Sequence, residues 1–158
     1  MNKRLINGLF LGIMFFLLFQ GVHAQDISAL KGKKILYVYG GWDGHEPKQC
    51  SDIFVPWLES AGAEVFLFDK MSCYKDTVLM QKIDLIIQAW TQGNIGQEEE
   101  KGLLEAVKRG VGIAGWHGGT GDSFRDNVEF QFMIGGQWVA HPGGVFHTKS
   151  ISETKTTL

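Results

Sequence analysis

The apolar segment Asp84–Trp90 (DLIIQAW) is the feature that most restricts the folds open to this chain. Leu85, Ile86 and Ile87 follow one another directly, so a strand built from this segment is apolar on both faces. Strands of that kind are typical of parallel sheets whose two faces are both covered by helices. The segment therefore favours a layered α/β fold over a sheet with one face in water.

Further apolar segments alternate with predicted helices along the chain, which is typical of βαβ units. The predicted strands are Lys33–Gly40, Ala63–Phe68, Asp84–Trp90 and Val111–Ala114, with Gln137–Ala140 as a further short strand. The predicted helices are Gln49–Ala61, Gln97–Arg109 and Phe124–Ile134, and Thr77–Lys82 is predicted to be a short helix or a turn. Together they predict a flavodoxin-like three-layer α/β/α sandwich with a mainly parallel sheet.

Helical spacing predicts which side chains cover that sheet. The predicted core face of the first helix consists of Ile53, Phe54, Trp57, Leu58 and Ala61. Pro56 lies within this helix and predicts either a kink or a later start, whereas Gly62 predicts a left-handed cap at its end. The third helix is predicted to bury Leu103, Leu104 and Val107.

The first 24 residues have the pattern of a secretory signal. Lys3 and Arg4 precede the apolar run Leu9–Phe19, and Val22-His23-Ala24 has small residues at the two positions that a signal peptidase reads before a cut after Ala24. The alternative is an uncleaved anchor, for which the run is short because a span needs about 20 residues. We expect cleavage after Ala24, a mature domain over residues 25–158, no stable membrane anchor, and a periplasmic or secreted location.

Charge and cysteine content limit the class of partner and of chemistry. The net charge of −2, without a basic stripe, argues against nucleic acid as a partner. Export permits a disulfide between Cys50 and Cys73, and the alternative is two free, half-buried thiols. Neither cysteine lies in a turn between a strand and a helix, so neither is predicted to be a nucleophile.

The glycine-rich turn after the fourth strand carries His117, the strongest single candidate for chemistry. Because the carboxyl ends of parallel strands share one edge, Asp43 and His45 in the loop after the first strand are expected near it. Imidazole acts as a general base or a metal ligand near neutral pH. The structural alternative is a histidine that is hydrogen-bonded to a loop carbonyl.

A zinc site using His45 and His117 is a weaker hypothesis, because zinc requires three or four ligands and no closely spaced ligand pair is present. The further ligand candidates are Asp43, Glu46, Asp122 and His141. His141 precedes Pro142 and either lines the site or shapes a turn. The turn also lacks the lysine and the glycine spacing of a phosphate or dinucleotide site.

Three tryptophans, Trp42, Trp90 and Trp116, fall at predicted strand ends on the same edge. Flat aromatic faces with polar neighbours are suited to stacking on sugar rings, and the alternative is packing over the end of the sheet. The predicted substrate-binding residues are Trp42, Trp90, Trp116, Asp122 and His141.

These residues together resemble the ThuA-like family, named for trehalose utilisation, whose domain is similar in fold to class I glutamine amidotransferases. The motifs that carry the resemblance are the loop Tyr39–Glu46, DLIIQAW, Gly115-Trp116-His117, and GGQWVAHP at Gly135–Pro142. Class I amidotransferases place a catalytic cysteine in the turn that here reads Gly115–Gly119, and this turn contains none. Glutamine hydrolysis by a thiolate in that turn is therefore excluded.

The resemblance implies a role in the use of trehalose or a related disaccharide, including keto sugars. Our hypothesis for the mechanism takes His117, His45 and Asp43 as catalytic residues: His117 acts as acid or base on a sugar hydroxyl or carbonyl, and Asp43, His45 and Asp122 orient the substrate. ThuA-like domains usually extend further past the His-Pro element, so the chain is expected to be truncated at its carboxyl end. Two alternatives to an enzyme stay open from the sequence: a non-catalytic sugar-binding module and an inactive fragment.

Overall fold

The computed structural model describes residues 27–136, and at its centre lies a four-stranded sheet in which all pairings are parallel. The strands are β1 (Lys34–Gly41), β2 (Glu64–Phe68), β3 (Leu85–Thr91) and β4 (Gly112–Ala114). Their order across the sheet is β2-β1-β3-β4. The four strands predicted within these residues are confirmed, and each end lies within one residue of its predicted position.

Helices cover both faces of this sheet. They are α1 (Pro47–Ser60), α2 (Thr77–Lys82), α3 (Gln97–Lys108) and α4 (Val128–Ile134). Short 3-10 helices lie in the connections, at Ile27–Leu30, Asp43–His45, Met71–Lys75 and Thr120–Asp122. In the described residues, no helix is long and apolar enough to cross a bilayer.

The central strand β1 shows why the molecule has three layers. Ile35 and Tyr37 are fully buried on the face covered by α1, whereas Leu36 and Val38 are fully buried on the face covered by the other three helices. Burying an apolar side chain such as Ile35, Leu36 or Val38 stabilises the fold by roughly 1.5–3 kcal/mol. The two-sided burial inferred from the sequence is confirmed, and the architecture is the flavodoxin-like α/β sandwich that was predicted.

The buried face of α1 differs from the prediction. Leu58 is buried as expected, but the helix turns Ser51 and Val55 toward the sheet in place of three larger apolar residues. Ser51 can be buried because its hydroxyl donates a hydrogen bond to the Lys48 carbonyl at 2.6 Å. A pattern that counts only apolar side chains cannot detect a buried serine. The exposed residues are Ile53 (71%), Trp57 (49%) and Phe54 (38%).

The start of α1 also corrects the sequence prediction. The helix begins at Pro47 and continues past Pro56, so the alternative of a late start is wrong. Pro56 and Asp52, whose carbonyl loses its helical partner, are both exposed, and water can satisfy that carbonyl. Gly62 follows the helix with a φ of +88°, which confirms the predicted left-handed cap.

The last described helix is shorter than predicted. It begins at Val128 because the Asn127 side chain accepts a hydrogen bond from the Phe130 amide at 2.8 Å and so caps the helix. Phe124, the predicted first residue, is buried with a φ of +45°, which is incompatible with a right-handed helix.

In α3, Leu103 is buried as predicted, whereas Leu104 and Val107 are half-buried. Ala106 takes the second fully buried position of the helix. Both cysteines are free, which confirms that alternative: Cys50 is half-buried and Cys73 is buried. Burial raises the pKa of the Cys73 thiol to about 12, so this thiol stays protonated and unreactive at neutral pH.

Tyr37 and Tyr74 are both fully buried, and their hydroxyl groups give a matched test of hydrogen bonding in the core. The Tyr74 hydroxyl donates to Gln88 Oε1 at 2.9 Å, so Tyr74→Phe leaves a buried amide oxygen without its partner. We expect a loss of about 1–3 kcal/mol in the free energy of unfolding, measured by urea denaturation. The Tyr37 hydroxyl is buried without a hydrogen-bond partner among the described residues. Tyr37→Phe should therefore leave the stability unchanged or raise it, and equal losses in the two variants would contradict this account.

Candidate functional site

The strand order places a crevice between the carboxyl ends of β1 and β3. From β1 the chain crosses to β2 on one side, whereas β3 leads to β4 on the other. Connections that diverge in this way leave a gap above the sheet, where open α/β sheets bind ligands. Gly41 and Thr91, the last residues of the two strands, are directly paired at this point.

The loop after β1 is attached tightly to the end of β3. Gly41 has a φ of +81°, and a Cβ atom there would lie 2.0 Å from the Thr91 carbonyl oxygen. The Trp42 amide donates a hydrogen bond to the same oxygen at 3.1 Å. Only glycine fits such an approach at a positive φ, so the loop leaves β1 in a fixed direction.

That direction carries His45 to the crevice. The short helix Asp43–His45 presents a half-buried imidazole whose Nδ1 lies 3.2 Å from Thr91 Oγ1. Its ring centre is 6.0 Å from that of His117, and the two rings are inclined at 73°. The Trp42 ring meets His45 edge-on at a centroid distance of 4.8 Å. The structure thus brings together two histidines and one tryptophan that the sequence placed at this edge.

Thr91 joins this loop to the turn after β4. The threonine is fully buried, and its hydroxyl donates a hydrogen bond to the Gly118 carbonyl. Gly118 in turn lies against His45, because a Cβ atom there would come within 2.9 Å of His45 Cγ and 3.0 Å of Nδ1. The loop after β1, the end of β3 and the turn after β4 therefore meet at Thr91, and His117 precedes Gly118 in that turn.

Trp116 lies next to His117 in sequence and contacts helix α1. Its ring stacks on Phe54 with centroids 5.1 Å apart and an angle of 25° between the planes. Sequence reasoning assigned Phe54 to the core, but the stack places it at the edge of the site. Trp42 is 52% exposed and offers its own aromatic surface beside His45.

Trp90 is not brought together with the other two tryptophans. Strand alternation turns Ala89 toward α1 and Trp90 toward the opposite face, where the indole packs on the core. A Cβ atom at Gly40 would lie 2.6 Å from Trp90 Cζ3. This packing favours the structural alternative for Trp90.

The acidic candidates occupy different positions. Asp43 is exposed at the start of its 3-10 helix, adjacent to the crevice. Asp122 is buried, its carboxylate lies 2.5 Å from Arg125 Nε, and this ion pair raises the pKa of the guanidinium. The Asp122 carbonyl also accepts a hydrogen bond from the Gln92 amide at 2.8 Å. Asp122 thus fixes the turn to the end of β3.

Metal binding receives limited support from the described residues. His45 and His117 lie close together, but residues 27–136 contain no group of three or more histidine, cysteine or acidic side chains that could hold a metal ion. His141, a further ligand and substrate-binding candidate, lies outside the described residues, as does the short strand predicted at Gln137–Ala140.

Sequence reasoning missed Thr91, the residue that joins the site. Its one signal in the sequence is that a polar residue directly follows an apolar strand. A second missed feature is backbone strain: Glu46, after His45, and Gln92, after Thr91, have φ values of +52° and +59°. Such non-glycine residues cost on the order of 1–3 kcal/mol each and cluster at functional sites.

Three cavities elsewhere do not involve the histidines. One of about 310 Å³ is formed by α4 and the two glycines after it, and one of about 770 Å³ lies between α3 and α4. A third, of about 390 Å³, lies at the amino end of the sheet beside Asp84. None of these three cavities is lined by a histidine or a tryptophan of the described residues. We therefore place the candidate site at His45 and His117 on chemical grounds.

Two glycines of the turn give a matched test of this geometry. Gly118→Ala should push the His45 ring away, because the new methyl group overlaps Cγ and Nδ1. In Gly121→Ala, the nearest atom to the new methyl group is the Trp116 carbonyl oxygen at 3.8 Å, an ordinary contact. We expect the imidazole NMR signals of His45 to shift in Gly118→Ala and to stay in place in Gly121→Ala. Unchanged signals in both variants would contradict the contact.

Comparison with known proteins agrees with this fold and with the motifs at its edge. The family model described as "ThuA: Trehalose utilisation" matches residues 34–157. No significant match was found among curated proteins or among solved structures. The family match covers well over half of the chain and includes both histidine-bearing segments. The chain therefore belongs to the ThuA family of trehalose utilisation.

Proposed function

We propose that this domain binds a small carbohydrate in the crevice between β1 and β3, in line with the role of its family in trehalose utilisation. The observation that carries the proposal is that the His45 and His117 rings lie 6.0 Å apart at that crevice, where the buried Thr91 contacts both His45 and Gly118. Imidazole groups suit the hydroxyl and carbonyl groups of a sugar, since they both donate and accept hydrogen bonds.

The aromatic groups beside the histidines support a sugar rather than a charged metabolite. Trp42 contacts His45, and Trp116 precedes His117 and is braced by Phe54. Aromatic faces bind the apolar face of a sugar ring while nearby polar groups orient its hydroxyls. We propose trehalose or a related disaccharide, including its keto derivative, as the ligand.

In the proposed reaction, His117 acts as acid or base on a sugar hydroxyl or carbonyl. His45 and Asp43 orient the sugar from the loop after β1. Asp122 contributes indirectly, because its ion pair with Arg125 and its bond to Gln92 hold the turn in place. The positively charged start and apolar run of residues 1–24 support the proposal that the domain acts in the periplasm or outside the cell.

A second candidate function is sugar binding without turnover. The 52% exposure of Trp42 favours it, because an open aromatic surface gives little exclusion of water from a reacting centre. In both functions Trp116 contributes to binding of the sugar, but only the enzymatic function requires His117.

Calorimetric titration of the full chain with trehalose, glucose and their keto derivatives, with and without zinc, tests binding. We expect one sugar to bind saturably and Trp116→Ala to abolish that binding. Trp57→Ala is the matched control, because Trp57 is 49% exposed and has no ring contact with either histidine among the described residues. Absence of binding to a cooperatively folded protein would contradict the proposal.

Turnover of the bound sugar separates the two candidate functions. If His117 is the acid or base, His117→Ala should lower turnover by roughly 10²- to 10⁴-fold and leave binding largely intact. A binding module predicts no turnover and tolerance of the same substitution. Unchanged turnover in an active protein would eliminate the role assigned to His117.

A further inference from the structure

We propose that Thr91 is a positioning residue that holds the neutral His45 ring with its proton on Nδ1 and leaves Nε2 as the atom that accepts a hydrogen bond from a sugar hydroxyl. The assignment of the tautomer follows from the hydrogen bonds of one hydroxyl. Its catalytic consequence rests on the proposed function.

The threonine hydroxyl carries a single hydrogen. The Gly118 carbonyl oxygen can only accept, so the bond between these groups uses that hydrogen. Thr91 Oγ1 also lies 3.2 Å from His45 Nδ1, within hydrogen-bond distance. Because the hydroxyl has no second hydrogen to give, the proton of this second bond must come from Nδ1.

A neutral imidazole has one N–H group, so a proton on Nδ1 leaves a lone pair on Nε2. The described residues give His45 a hydrogen bond at Nδ1 and none at Nε2. A partner that fixes one ring nitrogen of a histidine and so prepares the other is the arrangement used in hydrolytic triads. Here the prepared nitrogen belongs to His45, whose ring centre lies 6.0 Å from that of His117. It can accept a hydrogen bond from a sugar hydroxyl and so orient the sugar toward His117.

The position of the hydroxyl is itself fixed. Thr91 is fully buried, its carbonyl oxygen accepts from the Trp42 amide, and the backbone of Gly41 packs directly on it. Gln92, the next residue, has a φ of +59° and is paired with Ser123. The backbone is therefore held on both sides, and the buried hydroxyl is itself bonded to the Gly118 carbonyl. The hydroxyl cannot turn away from His45 without breaking that bond.

A merely structural threonine would satisfy the Gly118 carbonyl and nothing more. The two roles differ in their effect on the His45 ring, which can be observed without any substrate. Thr91→Val removes the acceptor for Nδ1 while it keeps the shape of the side chain. Thr91→Ser keeps the hydroxyl and serves as the conservative control.

The test is a long-range ¹H–¹⁵N spectrum of the ¹⁵N-histidine-labelled full chain at about pH 8.5, where histidine rings are neutral. His45→Gln and His117→Gln assign the signals. We expect His45 to show a protonated Nδ1 and an unprotonated Nε2 in the wild type and in Thr91→Ser. In Thr91→Val the two nitrogens should exchange roles or become averaged.

A wild-type His45 with its proton on Nε2 would overturn the proposal, and so would a Thr91→Val spectrum identical to that of the wild type. If Thr91→Val does not fold, the wild-type and Thr91→Ser spectra still decide the tautomer.

Turnover supplies the second readout. Once a substrate sugar is found, Thr91→Ser should recover most of the activity, whereas Thr91→Val should lower kcat by about tenfold or more with little change in KM. Unchanged kcat in Thr91→Val would remove the catalytic consequence. If no sugar is turned over by the wild type, the proposed enzymatic function fails, whereas the tautomer is still decided by the spectrum.

Discussion

The pairing of β1 with β3 at their carboxyl ends is the contact on which the rest of the site depends. It brings the backbone of Gly41 onto Thr91 so closely that no side chain fits between them. The two loops that leave this point are fixed in direction, one carrying His45 and the other joined to the turn of His117 through Gln92. A site assembled from three separate segments gains its geometry from this contact rather than from any single loop.

A buried network of hydrogen bonds also fixes the position of the turn after β4 relative to the sheet. Gln88 is fully buried in β3; it accepts from the Tyr74 hydroxyl and donates to Ser123 Oγ at 2.8 Å. Thr120 Oγ1 donates to the Gln88 carbonyl, also at 2.8 Å. Buried polar groups are costly unless their hydrogen bonds are made, so the turn has one favourable position over β3. The His117 turn is therefore held by the core as well as by Thr91.

The sequence predicted the layers and the strands of the described residues because their cause is local. Segments such as Asp84–Trp90 are apolar on both faces, so both faces of the strand must be buried whatever the arrangement of the other elements. The face of α1 was misassigned because the burial of Ser51 depends on a hydrogen bond to Lys48 that no apolar pattern reveals. The predicted start of α4 failed for a similar reason, since the Asn127 cap decides where that helix begins.

The candidate site was only partly predictable. That His45 and His117 share one edge follows from parallel strands alone, and the structure brings them together. The role of Thr91 could not be inferred, because it depends on tertiary contacts with Gly41 and Gly118. Its place at a strand end groups Trp90 with the other two tryptophans, whereas the alternation of β3 turns its half-buried ring against the core on the opposite face.

The most direct measurement of the central claim is a map of backbone amide shifts in the full chain on titration with trehalose and with its keto derivative. A sugar site in the crevice predicts saturable shifts confined to residues 41–46, 91–93 and 115–119, the segments that meet at Thr91. Shifts confined to the surface between α3 and α4, or no saturable shifts with either sugar, would contradict the account.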